Sequence, residues 1–102
     1  MTNKFSIIDL TSSETLQAKG YPAFVQVKTE QEISLSNDQV GVIIGKHSFH
    51  EKGIGIFGGI VNPNWKGRLT IEFHVYGEIK ITQGEKIAHV IIFQEGCENI
   101  AK

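Results

Sequence analysis

Glu72 is the residue to which this sequence most readily assigns chemistry. It lies in the run Leu69-Thr70-Ile71-Glu72-Phe73-His74-Val75. An extended strand here would turn Leu69, Ile71, Phe73 and Val75 to one side and Thr70, Glu72 and His74 to the other. A carboxylate set among apolar neighbours is expected to have a raised pKa, and it can shuttle protons or accept hydrogen bonds from the edge of a nucleobase. The plainer alternative is a solvated or paired strand glutamate, with His74 or Arg68 as its partner. His47-x-x-His50 with Glu51 hints at zinc. A metal site wants three or four convergent ligands, and with a single cysteine in the chain no metal is expected. Neither Ser48 nor Cys97 has a recognisable base nearby in sequence, so nucleophilic catalysis has no support.

Gly53-Ile54-Gly55-Ile56-Phe57-Gly58 matches the dinucleotide-binding fingerprint by letter. That motif functions only where a strand enters it and a helix leaves it, aiming backbone N–H groups at a pyrophosphate. Here Gly59 to Gly67 leads instead into a proline turn and another strand. These glycines are expected to mark bends in a β fold, with Gly58 and Gly59 exposing backbone groups.

The elements that must position these residues are short β-branched runs separated by turn chemistry. Strands are expected at Ala23 to Lys28, Glu32 to Leu35, Val40 to Ile44, Gly55 to Phe57, Leu69 to Val75, Glu78 to Ile81 and Ile87 to Phe93. Turns fall at Ser36-Asn37-Asp38, Asn62-Pro63-Asn64, Tyr76-Gly77 and Gln83-Gly84. Two short helices are expected, Ser12 to Ala18 with a serine cap and Gly20 as terminator, and one turn at Ser48 to Lys52. Many short strands with evenly spaced turns predict an all-β sandwich or small barrel.

At 102 residues the chain makes one domain, spanning 1–102, that buries little more than half of its unfolded surface, so self-association is a natural supplement. The 40% hydrophobic and 21% charged composition is that of a globular protein, and no apolar run approaches the roughly 20 residues of a membrane span. A formal net charge of −1 gives no general attraction to nucleic acid or membrane, so neither polymeric nucleic acid nor membrane is expected as a partner. The polar segment from Met1 to Leu10 does not read as a secretory signal, and the lone Cys97 suits a reducing, cytoplasmic setting.

Five pieces in order carry a family resemblance. They are Phe24-Val25 through Ser34-Leu35-Ser36-Asn37-Asp38; Gly45-Lys46-His47-Ser48-Phe49; Val61-Asn62-Pro63-Asn64-Trp65-Lys66-Gly67; Leu69-Thr70-Ile71-Glu72-Phe73; and Gly84-Glu85-Lys86-Ile87-Ala88-His89-Val90. Together they resemble the trimeric dUTPase and dCTP deaminase superfamily, with an order closer to the deaminase branch. The resemblance implies a small distorted jelly-roll barrel that assembles as a homotrimer, with nucleotide sites between subunits. It places Lys46, His47, Ser48, Gly58, Gly59, Val61, Asn62, Glu72, His74 and His89 around the nucleotide. Glu72 stands where the deaminases have their general acid and base.

The departures from the family pattern cluster at those positions. Lys46 stands for the first phosphate-binding arginine, His47 for a serine, Glu51 for a second arginine, Asn62 for an aspartate, Ile60 for an arginine, Val75 for an asparagine and His89 for a glutamine. Lysine is not arginine's equal as a phosphate clamp, and a glutamate repels phosphate. Only nine residues follow Phe93, so a segment closing over a triphosphate is not expected. Trp65 is expected to pack, as a core anchor or at a subunit interface. The expectation is therefore a cytoplasmic nucleotide-binding trimer, catalytically weak or inactive. It would hold a nucleotide or nucleotide-derived signal as a viral or mobile-element sponge might, with no cofactor, and magnesium only alongside a triphosphate. The alternatives are a minimal dCTP deaminase or dUTP pyrophosphatase using Glu72, and a protein-binding trimer with a vestigial pocket.

Overall fold

The computed structural model describes residues 5–51, 53–57 and 59–94, with the side chains at 20–23, 50, 51 and 57 outside that description. In chain order the elements are β1 (Phe5–Thr11), β2 (Leu16–Ser34), β3 (Gln39–Gly45), the single turn α1 (His47–Glu51), β4 (Ile54–Phe57), β5 (Ile60–Val61), β6 (Lys66–Ile81) and β7 (Lys86–Gln94). They form two antiparallel sheets, one ordered β1-β7-β3-β5 and the other β2-β6-β4. The all-β expectation holds.

Period-two alternation builds the core between these sheets. On β6, Leu69, Ile71, Phe73, Val75, Ile79 and Ile81 are buried while the residues between them are more exposed. Across from them, β7 contributes Ile87, Ala88, Val90 and Ile92, and β1 contributes Leu10. Phe73 is fully buried and meets Phe49 of α1 edge-on, with ring centroids 5.8 Å apart. Gly41 is where the strands crowd closest. A Cβ there would lie 3.0 Å from Val90 Cγ2 and 3.1 Å from Val61 Cβ, so a larger residue would push β5 or β7 away.

The β2–β6 ladder runs along much of the molecule's 47 Å length, from Leu16 opposite Ile81 to Ser34 opposite Lys66. It is interrupted by irregularities between Gly20 and Ala23 and between Lys28 and Glu32. At the second, buried Thr29 supplies the missing bonds: its hydroxyl donates to the Gln31 carbonyl at 2.8 Å and accepts the Leu69 N–H at 3.1 Å.

Several expectations change. The helix expected at Ser12 to Ala18 is absent. Ser12 hydrogen-bonds locally to Glu14 and bridges Thr29, and Leu16 to Ala18 enter β2 opposite Ile81 to Ile79. Ser12 thus organises a turn and not a helix start, because its hydroxyl competes for nearby backbone groups in either setting. Tyr76-Gly77 is no turn: Gly77, at φ 122°, lies within β6 opposite Gly20, and the expected strands on either side are one. The two expected strands within 23–35 likewise merge into β2, while β1 was not anticipated. The short helix appears one residue earlier than expected, and Lys52 lies outside the described residues. Residues 54–57 form a strand, in keeping with rejection of the dinucleotide fingerprint.

Candidate functional site

The two sheets present two groups of polar side chains on their outer faces. On the β2–β6 sheet, register places Gln26 opposite Glu72 and Phe24 opposite His74. Gln26 Nε2 donates to Glu72 Oε1 at 3.1 Å, and His74 Nε2 lies 3.3 Å from Glu72 Oε2. The Glu72 side chain is 33% exposed. Phe24 stands edge-on to the His74 ring at a centroid distance of 4.5 Å, which limits that ring's orientations.

These partners reverse the expected pKa shift. The hydrogen bond from Gln26, followed by the one with His74, holds the Glu72 carboxyl below the usual carboxylate range, outweighing the desolvation that would raise it. The apolar neighbours along β6 point into the core, so they never surround the carboxylate. His74, one of the two partners expected for a bland structural role, is the one that pairs.

Glu72 and Gln26 open onto a cavity of about 470 Å³ lined also by Ile60, Asn62, Trp65 and Thr70. Its mouth is the turn Asn62-Pro63-Asn64-Trp65. Trp65 N–H bonds the Asn62 carbonyl at 3.2 Å, and Asn64 takes φ 69°. Proline followed by a left-handed asparagine is type II turn chemistry. Trp65 is not a core anchor of the subunit. It is 41% exposed, with its indole N–H donated to the Gly67 carbonyl at 3.2 Å, because the turn projects it to the rim. Gly59 also lines the cavity, its carbonyl accepting Ile43 N–H at 2.9 Å. Val61 reaches the lining while remaining buried in the core.

The second group lies on the outer face of the β1-β7-β3-β5 sheet. Lys46, His47, Lys86 and His89, with Ile44 and Gly45, line another cavity of about 470 Å³. A bulge brings Lys86 here: Leu10 pairs with Ala88 but Thr11 with Lys86, leaving Ile87 as an extra residue. Ile87 and Ala88 are both fully buried, so alternation resumes with Lys86 outward, 3.1 Å from the Asp9 carboxylate. Lys46 sits 5.4 Å above the Phe49 ring, while its backbone carbonyl accepts Phe49 N–H at 3.1 Å. The two cavities share no lining residue, and neighbouring Ile43 and Ile44 on β3 divide between them.

Of the residues anticipated from sequence, Lys46, His47 and His89 converge in the cationic cavity, and Gly59, Val61, Asn62 and Glu72 in the other. His74 supports Glu72 from the side, Ser48 on α1 lines neither cavity, and Gly58 lies outside the described residues. Among the described residues no group of three or more His, Cys, Asp or Glu could hold a metal, and the side chains of His50 and Glu51 and all of Cys97 lie outside them. Gln26 and Lys86 were missed. The alternation of Val25, Gln26 and Val27 signals an outward Gln26, but not the strand it faces.

A family model described as dUTPase matches residues 1–100. The chain is 24% identical over 99 residues to a dCTP deaminase of Stenotrophomonas maltophilia (strain K279a), covering 95% of this chain and 51% of that protein. A dCTP deaminase of Psychrobacter sp. (strain PRwf-1) matches at the same identity and coverage. The chain thus spans about half the length of the curated relatives it matches. Among solved structures, a mutant of the Staphylococcus bacteriophage 80alpha dUTPase with dUpNHpp superposes at TM-score 0.73 and 18% identity, covering 91% of each chain. The native EIAV dUTPase superposes at 0.72 and 25% identity, covering 84% of this chain and 72% of that one.

Proposed function

Because this chain belongs to the dUTPase family, we propose that it binds a nucleotide or nucleotide-derived molecule between subunits of a homotrimer and holds it without turnover. The state of Glu72 carries this reading. A proton-shuttling carboxylate works best with a pKa near the operating pH, whereas Glu72 is pulled the other way by Gln26 and His74. An ionised carboxylate clamped on both sides is an acceptor, suited to recognising a base. The cations of Lys46 and Lys86 suit the phosphate end of the same ligand.

The placement of the two groups supports a site shared between subunits. Within one subunit the side chains of Glu72 and His89 stand on the outer faces of different sheets. A ligand of nucleotide size engages both more readily when neighbouring copies supply one each. The same reading uses the apolar residues exposed on the four-stranded sheet, Phe5, Ile7, Ile44 and Ile60, each more than 40% exposed. Sequestration, as by a sponge carried on a phage or other mobile element, suits a pocket that binds and does not release product. Calorimetry with nucleoside triphosphates, monophosphates and cyclic nucleotides tests the proposal: saturable binding to wild type, weakened by Glu72→Gln and by Lys46→Glu, is expected. Absence of binding across the panel would sink it.

The occurrence of Glu72 within Leu-Thr-Ile-Glu-Phe favours one competing reading, a minimal deaminase or pyrophosphatase. Turnover of dCTP or dUTP with magnesium that disappears in Glu72→Gln would establish it instead.

A further inference from the structure

Glu72 and its two flanking partners define which base edge the cavity can accept. A carboxylate offers about four lone-pair directions, two on each oxygen. Gln26 Nε2 occupies one on Oε1, and the His74 contact occupies one on Oε2. The orientation of the Gln26 amide follows from chemistry, because only its NH₂ can satisfy an ionised carboxylate. Each oxygen therefore keeps one acceptor direction, and the pair of them forms a two-pronged acceptor at the cavity wall. Ionisation removes the alternative in which Glu72 donates a proton to a carbonyl or ring nitrogen.

Resting on the reading that this cavity receives a nucleobase, we infer that it selects guanine, through paired hydrogen bonds from N1–H and the 2-amino group to Glu72. Guanine alone among the common bases presents two adjacent donors on its Watson–Crick edge. Uracil has one N–H between two carbonyl oxygens, so a second contact would set oxygen against oxygen. Neutral cytosine and adenine each pair an amino donor with a bare ring nitrogen, whose lone pair would face the carboxylate. An acceptor held opposite the carboxylate is repelled and leaves one prong unpaired, so such an edge discriminates between bases. The cavity's other walls suit a flat ring: Trp65 and Ile60 on the rim are 41% and 69% exposed, offering apolar surface to its faces. Its volume of about 470 Å³ lies within the range of small-molecule sites and admits a purine.

The test compares dGTP, dITP, dATP, dCTP and dUTP by calorimetry on the full chain, so that sugar and phosphates are constant. The expected result is dGTP bound about ten-fold or more tighter than either pyrimidine nucleotide, and dITP, which lacks the 2-amino donor, weaker than dGTP by a similar factor. Glu72→Gln should remove the preference, since one prong of a carboxamide is an NH₂ donor that opposes a guanine donor, and dGTP should then bind within about three-fold of dITP. Gln26→Leu gives a second variant that keeps the carboxylate and should retain guanine preference while weakening binding. Nucleotide binding with equal affinity for dGTP and dITP, or with a pyrimidine preferred, overturns the guanine assignment and leaves nucleotide binding intact. Binding of none of the five overturns both.

Discussion

Two inactive variants should restore each other's binding if each site is built from two subunits. Glu72→Gln removes the carboxylate of one cavity, and Lys46→Glu with Lys86→Glu reverses both lysines of the other. The first loses charged hydrogen-bond acceptance, so affinity should fall about ten-fold or more. The second replaces two attractions for phosphate by two repulsions and should fall at least as far. These substitutions lie on outer faces and leave the core untouched. When the two variants are unfolded together in equal amounts and refolded, random assembly gives three adjacent pairs per ring. A site is intact when an unaltered Glu72 from one subunit meets unaltered lysines from the next. That combination occurs in about one quarter of pairs, independent of ring size. Calorimetry of the refolded mixture should therefore show tight binding with about one quarter of the wild-type stoichiometry, and separately refolded variants mixed cold should show none. If one subunit supplied both halves, co-refolding would restore nothing. A mixture without tight sites, despite oligomers shown by native mass spectrometry to contain both variants, refutes the shared-site geometry.

Under the proposed function, Asp9, paired with Lys86, competes with the ligand's phosphates for that lysine. Because that ion pair is largely exposed, at 44% for lysine and 64% for aspartate, it is worth at most about 1 kcal/mol, so Asp9→Asn should tighten binding of inorganic triphosphate up to about five-fold in low salt. The gain should vanish at high ionic strength, and weaker binding in that variant would contradict the role given to Lys86. Phe73→Ala should destabilise by about 3–5 kcal/mol, since it empties a fully buried site against Phe49, and thermal unfolding should shift down by more than about 10 °C. A shift of only a degree or two would mean the site collapses around the smaller residue. Glu72 has a folded pKa below its unfolded one, so its stabilisation is present above the ordinary glutamate value of about 4.3 and is lost as pH falls through the folded value. The stability difference between wild type and Glu72→Gln should accordingly shrink between about pH 5 and pH 3 in urea melts. A difference that grows on acidification would show the carboxyl pKa is raised instead.

The limits of the sequence are clearest at the places where alternation alone misled. Runs such as Leu69 to Val75 and Ile87 to Phe93 reveal strands because burial on one face imposes period two, a property local to each run. The same signal correctly put Glu72 outward with Thr70 and His74. It said nothing of what lies across the ladder, and Gln26, whose hydrogen bond does most to lower the Glu72 pKa, is 46 residues earlier in the chain. Turn residues were legible where a turn was made locally, as at Asn62 to Trp65. They misled at Gly77, because a glycine with positive φ serves a bulged ladder opposite Gly20 as well as it serves a hairpin.

Lys86 shows the same division with a functional consequence. Strict alternation from buried Ala88 and Val90 would send Lys86 inward. The extra residue Ile87 reverses its direction, and only the pairing of Leu10 and Thr11 with Ala88 and Lys86 reveals that residue as extra. A bulge is a property of two strands in register, so neither strand's pattern contains it. The cation opposite Asp9 at the edge of the Lys46, His47 and His89 cavity is thus placed by topology, while its charge is placed by sequence. The same holds for Glu72: its charge is written in the chain, but the contacts with Gln26 and His74 that hold the carboxylate and lower its pKa come from the fold. Substituting either partner should therefore alter how tightly a ligand is held before it alters whether the protein folds.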